Sequence, residues 1–494
     1  MLVCAKGTKA MADVLAVRRS MRRTLTMSLT FSILCTLVGA LLVFPPSPAD
    51  AATTFVVNGT SDAEDAKISD SRCDTSRNKG NQCTLRAAIQ EANDTPGADA
   101  IHFNIGGTAS IKTISPNYWL PEITGPVTID GYTQPGASPN TSAEGTNAVL
   151  KVQLSGDDQG GEGIGLLVRG SRITIRGLVI NRFGQEGILI YEDGPSQSSD
   201  NKVKGNFLGT DASGKRNLSL GASGVWLVDG TSENTIGGAT PGARNLISGN
   251  SVGVTIGRNY LTHSPSGTKV VNNTIRDNYQ GVVIDESDNN ALKNNAITDN
   301  YWSGVLISRS NNNTIGGASA DAGNLITGNA EYSDLGGVQV SGTGNRILSN
   351  LIYSNGELGI DLSDDYTWWG VSPNDTDDPD TGPNNLQNFP DISSAVRDST
   401  TGLTTVTGTL NSNPSQTYTI QCFATEEGGD PSGHGEGKVL LETTTATTDA
   451  NGDGSFTCAS HVPAVGDEVS ATATNTATGD TSEFSQNVAV TTNP

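Results

Sequence analysis

Two groups of residues in this chain have types and spacings that could do chemistry. The first is a column of charge. A unit reading Gly-apolar-x-apolar recurs at Gly187, Gly224, Gly253, Gly281, Gly304, Gly337 and Gly359, and in its first five copies the fifth residue after the glycine is Glu192, Asp229, Arg258, Glu286 and Arg309. If each copy is one rung of a stack, Glu192 and Asp229 stand roughly 5 Å apart, the separation at which retaining glycosidases hold their two carboxylates. Asp285 lies beside Glu286. With Arg309 or Arg258 these acids have the parts of a lyase, in which an arginine neutralises a uronate while a base removes a proton. The competing expectation is a ladder of surface charges that pair with one another.

The second group is aromatic and acidic. Tyr366, Trp368 and Trp369 crowd the polar insert Asp364 to Trp369, in a chain with only 5% aromatics. Flat aromatic faces bind the apolar faces of sugar rings, while flanking carboxylates accept their hydroxyls; the alternative is that these rings pack the end of the repeat onto the next domain. Trp226 is expected on the outward side of the repeat, in a column with Leu189, Thr255, Val283, Leu306, Gln339 and Asp361. That column is apolar for a solvated face, so it is either a groove or covered. Asp375, Asp377, Asp378 and Asp380 cluster oxygen ligands of the kind calcium requires. Asp449 to Gly454 starts like a calcium loop, but Ser460 stands where a bidentate Glu is needed, so a tight hairpin turn is expected. No cofactor is required by any of these readings; calcium is the one ion with a candidate site.

These residues must be positioned by the repeat. The second unit, Asn-x-Ile-x-x-Asn, occurs at Asn273, Asn295 and Asn350 and alternates with the first. Gly281 to Gly304 and Gly337 to Gly359 are 23 and 22 residues apart. Strands this short cannot bury an apolar face alone, but stacked coils can. The spacing predicts a right-handed parallel β-helix, because parallel crossovers take that hand. Inward ladders are expected from Ile188, Val225, Val254, Val282, Val305, Val338 and Ile360, and from Ile275, Ile297, Ile347 and Ile352. Corner Asn residues tolerate left-handed backbone and can hydrogen-bond along the stack; Gly is read as serving the other corners in the same way.

Arg18, Arg19, Arg22 and Arg23, the apolar run Leu25 to Phe44 and Ala49-Asp50-Ala51 have the three parts of a secretory signal peptide, with cleavage expected after Ala51. A retained membrane anchor is the alternative. Four cysteines follow that point, and local pairing is expected, Cys73 with Cys83 and Cys422 with Cys458. The net charge of −22 repels nucleic acid and anionic lipid. Four histidines, mostly outside the repeat, make a histidine-based triad improbable.

Cys83-Thr-Leu-Arg-Ala-Ala-Ile-Gln-Glu-Ala-Asn93, followed by Ala98-Asp-Ala-Ile-His-Phe103, resembles the CSLREA domain of exported bacterial β-helix proteins, with Ala87 where the family name has Glu. The resemblance implies export and a β-helix and no established general activity. Residues 84–93 read as an amphipathic helix with Leu85, Ala88, Ile89 and Ala92 on one face, suited to capping the open end of the solenoid. From about Asp391, alternating segments with turns between them read as an immunoglobulin-like β-sandwich. The expected fold is all-β: an upstream extension and signal peptide (1–51), a CSLREA-like cap (52–110), a parallel β-helix (111–390) and a sandwich (391–494). The expected function is binding of a polysaccharide or surface glycan by a secreted or surface-held monomer that makes no stable membrane insertion after cleavage. A polysaccharide lyase or glycoside hydrolase on the outer face, and a structural spacer or adhesin, are the alternatives.

Overall fold

The computed structural model describes residues 52–493, apart from 77–81, 108–109, 160–161, 193, 195–196, 258–262, 331–335, 364–369 and 426–429. The expected signal segment, Arg258, Tyr366, Trp368 and Trp369 lie outside the described residues.

The chain is a right-handed parallel β-helix followed by an antiparallel sandwich. Three parallel sheets, here A, B and C, contain ten, nine and eight strands. The chain visits them in a fixed cycle: Lys269–Val271 in A, Thr274–Arg276 in B and Gln280–Asp285 in C, then Ala291–Lys293, Ala296–Thr298 and Val305–Ser308. Each coil therefore has three strands, where the alternation of two sequence units predicts two. The third shares its corner asparagines with the next unit, as in Asn290-Ala-Leu-Lys-Asn-Asn295, and Asn290, Asn313 and Asn345 form a buried ladder of their own. Ile347 belongs to this third set: it pairs with Ile315 in sheet A, away from Ile275, Ile297 and Ile352 in sheet B. The expected ladder from Ile188 to Ile360 is in register throughout sheet C and no member is more than 2% exposed.

The repeated glycines serve packing and not left-handed backbone. None of Gly187, Gly224, Gly253, Gly281, Gly304, Gly337 or Gly359 has a positive φ. A Cβ on Gly281 would lie 2.3 Å from the carbonyl oxygen of Gly304 and 2.8 Å from Cγ2 of Ile297. Sheets B and C meet so closely there that no side chain fits. The left-handed corners fall on the residue before each ladder Asn instead: Asp277, Asp299 and Ser354 have φ of 53°, 55° and 55°. The Asn side chains run along the stack as expected. Asn278 Nδ2 donates to Asn300 Oδ1 (3.1 Å), and Asn300 Nδ2 to Asn329 Oδ1 (2.8 Å), all fully buried. Such a column satisfies the buried amides of every turn it passes.

Helix α1 (Leu85–Asp94) begins on Thr84, whose Oγ1 accepts the Ala87 N–H at 3.1 Å. Its predicted face, Leu85, Ala88, Ile89 and Ala92, joins the core of the solenoid. Arg86 is held by both oxygens of Asp62 at 2.9 Å, with both side chains buried. The first two strands of sheet A, Thr54–Val57 and Asp99–Phe103, flank this helix in sequence. Cys73–Cys83 tethers the segment before it.

The sandwich has two four-stranded sheets. Cys422 in Thr417–Thr425 is bonded to Cys458 in Asp453–Ser460, which joins the two sheets. Asp449 to Gly454 is the tight turn expected: Asp449 Oδ1 accepts the N–H of Asn451 and of Asp453.

Candidate functional site

Sheet C offers an outer face with chemistry along both edges. Its central column pairs Leu189, Trp226, Thr255, Val283, Leu306, Gln339 and Asp361 in register, as predicted. Leu189, Trp226, Thr255 and Val283 are half-buried, whereas Gln339 and Asp361 are buried. Trp226 thus lies on an accessible stretch of the face, its indole N–H buried without a hydrogen-bond partner.

Where strands leave the face, the expected charges appear in two groups. Glu192 and Asp229 are on adjacent rungs, the Glu192 N–H donating to the Asp229 carbonyl at 3.0 Å. Both are buried, 7% and 2% exposed. The Glu192 carboxylate accepts from Arg169 Nε (3.4 Å) and from the Gly194 N–H (2.9 Å), and Arg169 also reaches Glu122 (3.7 Å). In the second group, past the Gly257 rung, the exposed Arg309 donates to the half-buried Asp285 at 2.7 Å and Glu286 at 3.2 Å. The fold brings Asp285, Glu286 and Arg309 together and keeps them apart from Glu192 and Asp229.

The other edge holds a group that sequence reasoning missed. Tyr279 and Tyr301 follow the ladder residues Asn278 and Asn300 on successive coils. The left-handed residue one position before each Asn turns the chain so that both rings point outward. The rings stack at 5.5 Å between centroids with planes 17° apart, and Trp302 lies 4.9 Å from Tyr279. Tyr279 and Tyr301 are 45% and 49% exposed. The signal was available: Asn-Tyr at the same corner of two copies, then Trp.

Beyond the last coil, the chain brings Asp375, Asp378 and Asp380 together, with one oxygen of each within 4.8 Å of the others. Asp377 points elsewhere; its N–H donates to Asn411 and its backbone is left-handed. Asp378 is buried and accepts from Gln387, Ser412 and the Asn388 N–H, and burial pushes its carboxyl up to about 6. Asp380 Oδ1 is buried with no partner. Hard oxygens and an orphaned carboxylate atom fit a calcium-sized cation.

Sequence reading also missed the acids where the sandwich meets the solenoid. The last coil leaves open N–H groups, and sandwich side chains take them up. Gln421 accepts from Ser349, Thr481 from Ile347, Asp480 from Gly344, Glu483 from Leu362 and Glu436 from Asn355. Burial raises Glu436 to about 7 and Glu483 to about 8.

The family described as "Right handed beta helix region" matches residues 260–375. No curated protein matches. Among solved structures, the A-module of the mannuronan C-5 epimerase AlgE6 of Azotobacter vinelandii is 16% identical with a TM-score of 0.35, over 53% of this chain and 70% of that one. The A-module of AlgE4 from the same organism is 17% identical with a TM-score of 0.34, over 56% and 86%. Jun a 1, the major allergen from cedar pollen, is 14% identical with a TM-score of 0.31, over 53% and 66%. These are likenesses of fold alone.

Proposed function

We propose that this is an exported, surface-acting β-helix protein that binds carbohydrate across the outer face of sheet C. The observation that carries the reading is the exposed stack of Tyr279 and Tyr301, with the half-buried Trp302 beside it. On a solvated corner of a very acidic protein, two half-exposed tyrosine rings on successive coils are an unusual apolar surface. The stacked rings expose apolar aromatic surface at one corner of two successive coils, against which sugar rings can pack. Trp226 lies on the same face, two coils before Tyr279. The CSLREA-like character of the N-terminal segment and the two disulfides support export. They leave the sugar open.

The test is binding of the exported protein to a panel of neutral and acidic polysaccharides by affinity electrophoresis. Binding to at least one polymer is expected, weakened by about 30-fold in a Y279A/Y301A double variant that melts like the parent. Unchanged binding in that variant refutes the site.

A second reading, cleavage of a polysaccharide, is favoured by the Asp285–Arg309–Glu286 cluster on the opposite edge of that face. Its three charges sum to −1, and Arg309 is already shared between two carboxylates, so a uronate would meet net repulsion. Binding is therefore preferred. New reducing ends from any polymer, lost in an E286Q variant, would reverse that preference.

A further inference from the structure

The outward column of sheet C ends at Asp361, and beside it is a cavity of about 340 Å³ that is separate from the aromatic strip. Three features of this cavity point to one kind of occupant. Its titratable lining groups are both acids, Asp361 and Asp380; no described Lys, Arg or His lines it. Asp361 is only 5% exposed, yet no described residue donates a hydrogen bond to its carboxyl. A buried carboxyl without a donor or a cation is unfavourable unless something satisfies it. The remainder of the wall is mainly apolar, including Leu362, Val371, Pro373 and Leu386.

We propose that this cavity binds a small organic ammonium ion, with its charge on Asp361 and its carbon body against the apolar wall. A bare metal ion fits less well. The cavity is far larger than an ion, and Asp361 is not among the carboxylates whose oxygens converge. The charged neighbours of Asp361 agree. Glu357 on the same coil adds negative charge, Glu483 from the sandwich is held largely protonated below about 8, and Asp380 comes from the connecting loop. Burial first, and Glu357 second, hold the Asp361 carboxyl up at about 7. An ammonium ion would reverse that shift by favouring the ionised form.

The experiment is isothermal calorimetry on the exported protein with pentylamine and, as its neutral counterpart, 1-pentanol. Pentylamine is expected to bind and pentanol not. Affinity should rise about tenfold from pH 6 to pH 8, because a carboxyl near 7 gains about tenfold in ionised fraction across that window. A D361N variant should bind at least tenfold more weakly. Carboxyl-carbon NMR of the unsubstituted protein gives a second readout that needs no variant: saturation with pentylamine should lower the pH at which Asp361 titrates. Glucosamine and Nα-acetyl-lysine amide, run in parallel, separate a sugar-borne amine from a peptide-borne one. Equal binding of pentanol, an unchanged Asp361 titration, retained affinity in D361N, displacement of pentylamine by calcium chloride alone, or failure of both natural amines would overturn the proposal.

Discussion

Tyr279 and Tyr301 are the residues on which the functional reading turns, and each is replaceable without touching the core. Their rings are half exposed and their backbone N–H groups donate to Asn250 and Asn278 whatever the side chain. Each ring is expected to contribute about 1 kcal/mol to polymer binding, so Y279A/Y301A should weaken it by about 30-fold while shifting the melting point little. The acids beyond the last coil make a separate residue-level prediction. If Asp375, Asp378 and Asp380 hold calcium, millimolar calcium should raise the melting temperature by a few degrees. D378N should remove that gain; calorimetry showing no heat with calcium would remove the site. Asp378 was recognisable as a candidate from its neighbours in sequence. Its burial beneath Gln387 and Ser412 was not, because Ser412 comes from the sandwich, 34 residues on, and Gln387 from further along the connection.

At the scale of the element, the coil is a compromise between close sheets and satisfied corners. Gly281→Ala should destabilise by about 1–3 kcal/mol or more, since its Cβ would strike the backbone of the next coil and the Ile297 methyl. Gly328 occupies the corner position taken by Asp277 and Asp299, with φ of 67°, and the nearest atom to a new Cβ is the flexible end of Asp299. Gly328→Asn should therefore cost less than about 1 kcal/mol. Urea unfolding of the two variants distinguishes a packing glycine from a conformational one. Glycine at the head of each unit was legible as a repeat, but its purpose was not. Identical letters serve left-handed corners in one place and sheet contact in another, and only the distance to the neighbouring sheet tells them apart. The third strand of each coil was hidden for a related reason. Its closing Asn is also the opening Asn of the next unit, as at Asn295 and Asn350, and it carries only one inward apolar residue, such as Leu292 or Ile315.

At the scale of the molecule, the sandwich does more than extend the chain. By accepting hydrogen bonds from the final coil through Gln421, Glu436, Asp480, Thr481 and Glu483, it closes an end that would otherwise invite strand-to-strand association. Two of these groups make the closure sensitive to pH. Glu436 and Glu483 have folded values raised from 4.5 to about 7 and about 8, so the folded protein binds more protons than the unfolded chain between those limits. Their stabilising contribution is complete below about 4.5 and is lost as pH rises through 7 and 8. Melting temperature should fall from pH 5.5 to pH 8.5. The fall should be smaller in E436Q/E483Q; an identical slope in that variant would place the pH dependence elsewhere.

Periodicity alone determined the solenoid. A 22- to 23-residue repeat of short apolar strands has one way to bury its faces, and cysteine spacing determined the two disulfides for the same local reason. Helix α1 was equally readable, because its cap and apolar face lie within a dozen consecutive residues. Tertiary structure decided what depends on residues far apart in sequence. It set which charges pair across coils and which aromatic rings stack on one corner. It also buried Asp361 beside a cavity and made the sandwich the lid of the helix. These contacts join residues from 22 to more than 120 positions apart, and nothing in the local pattern of either partner encodes the other.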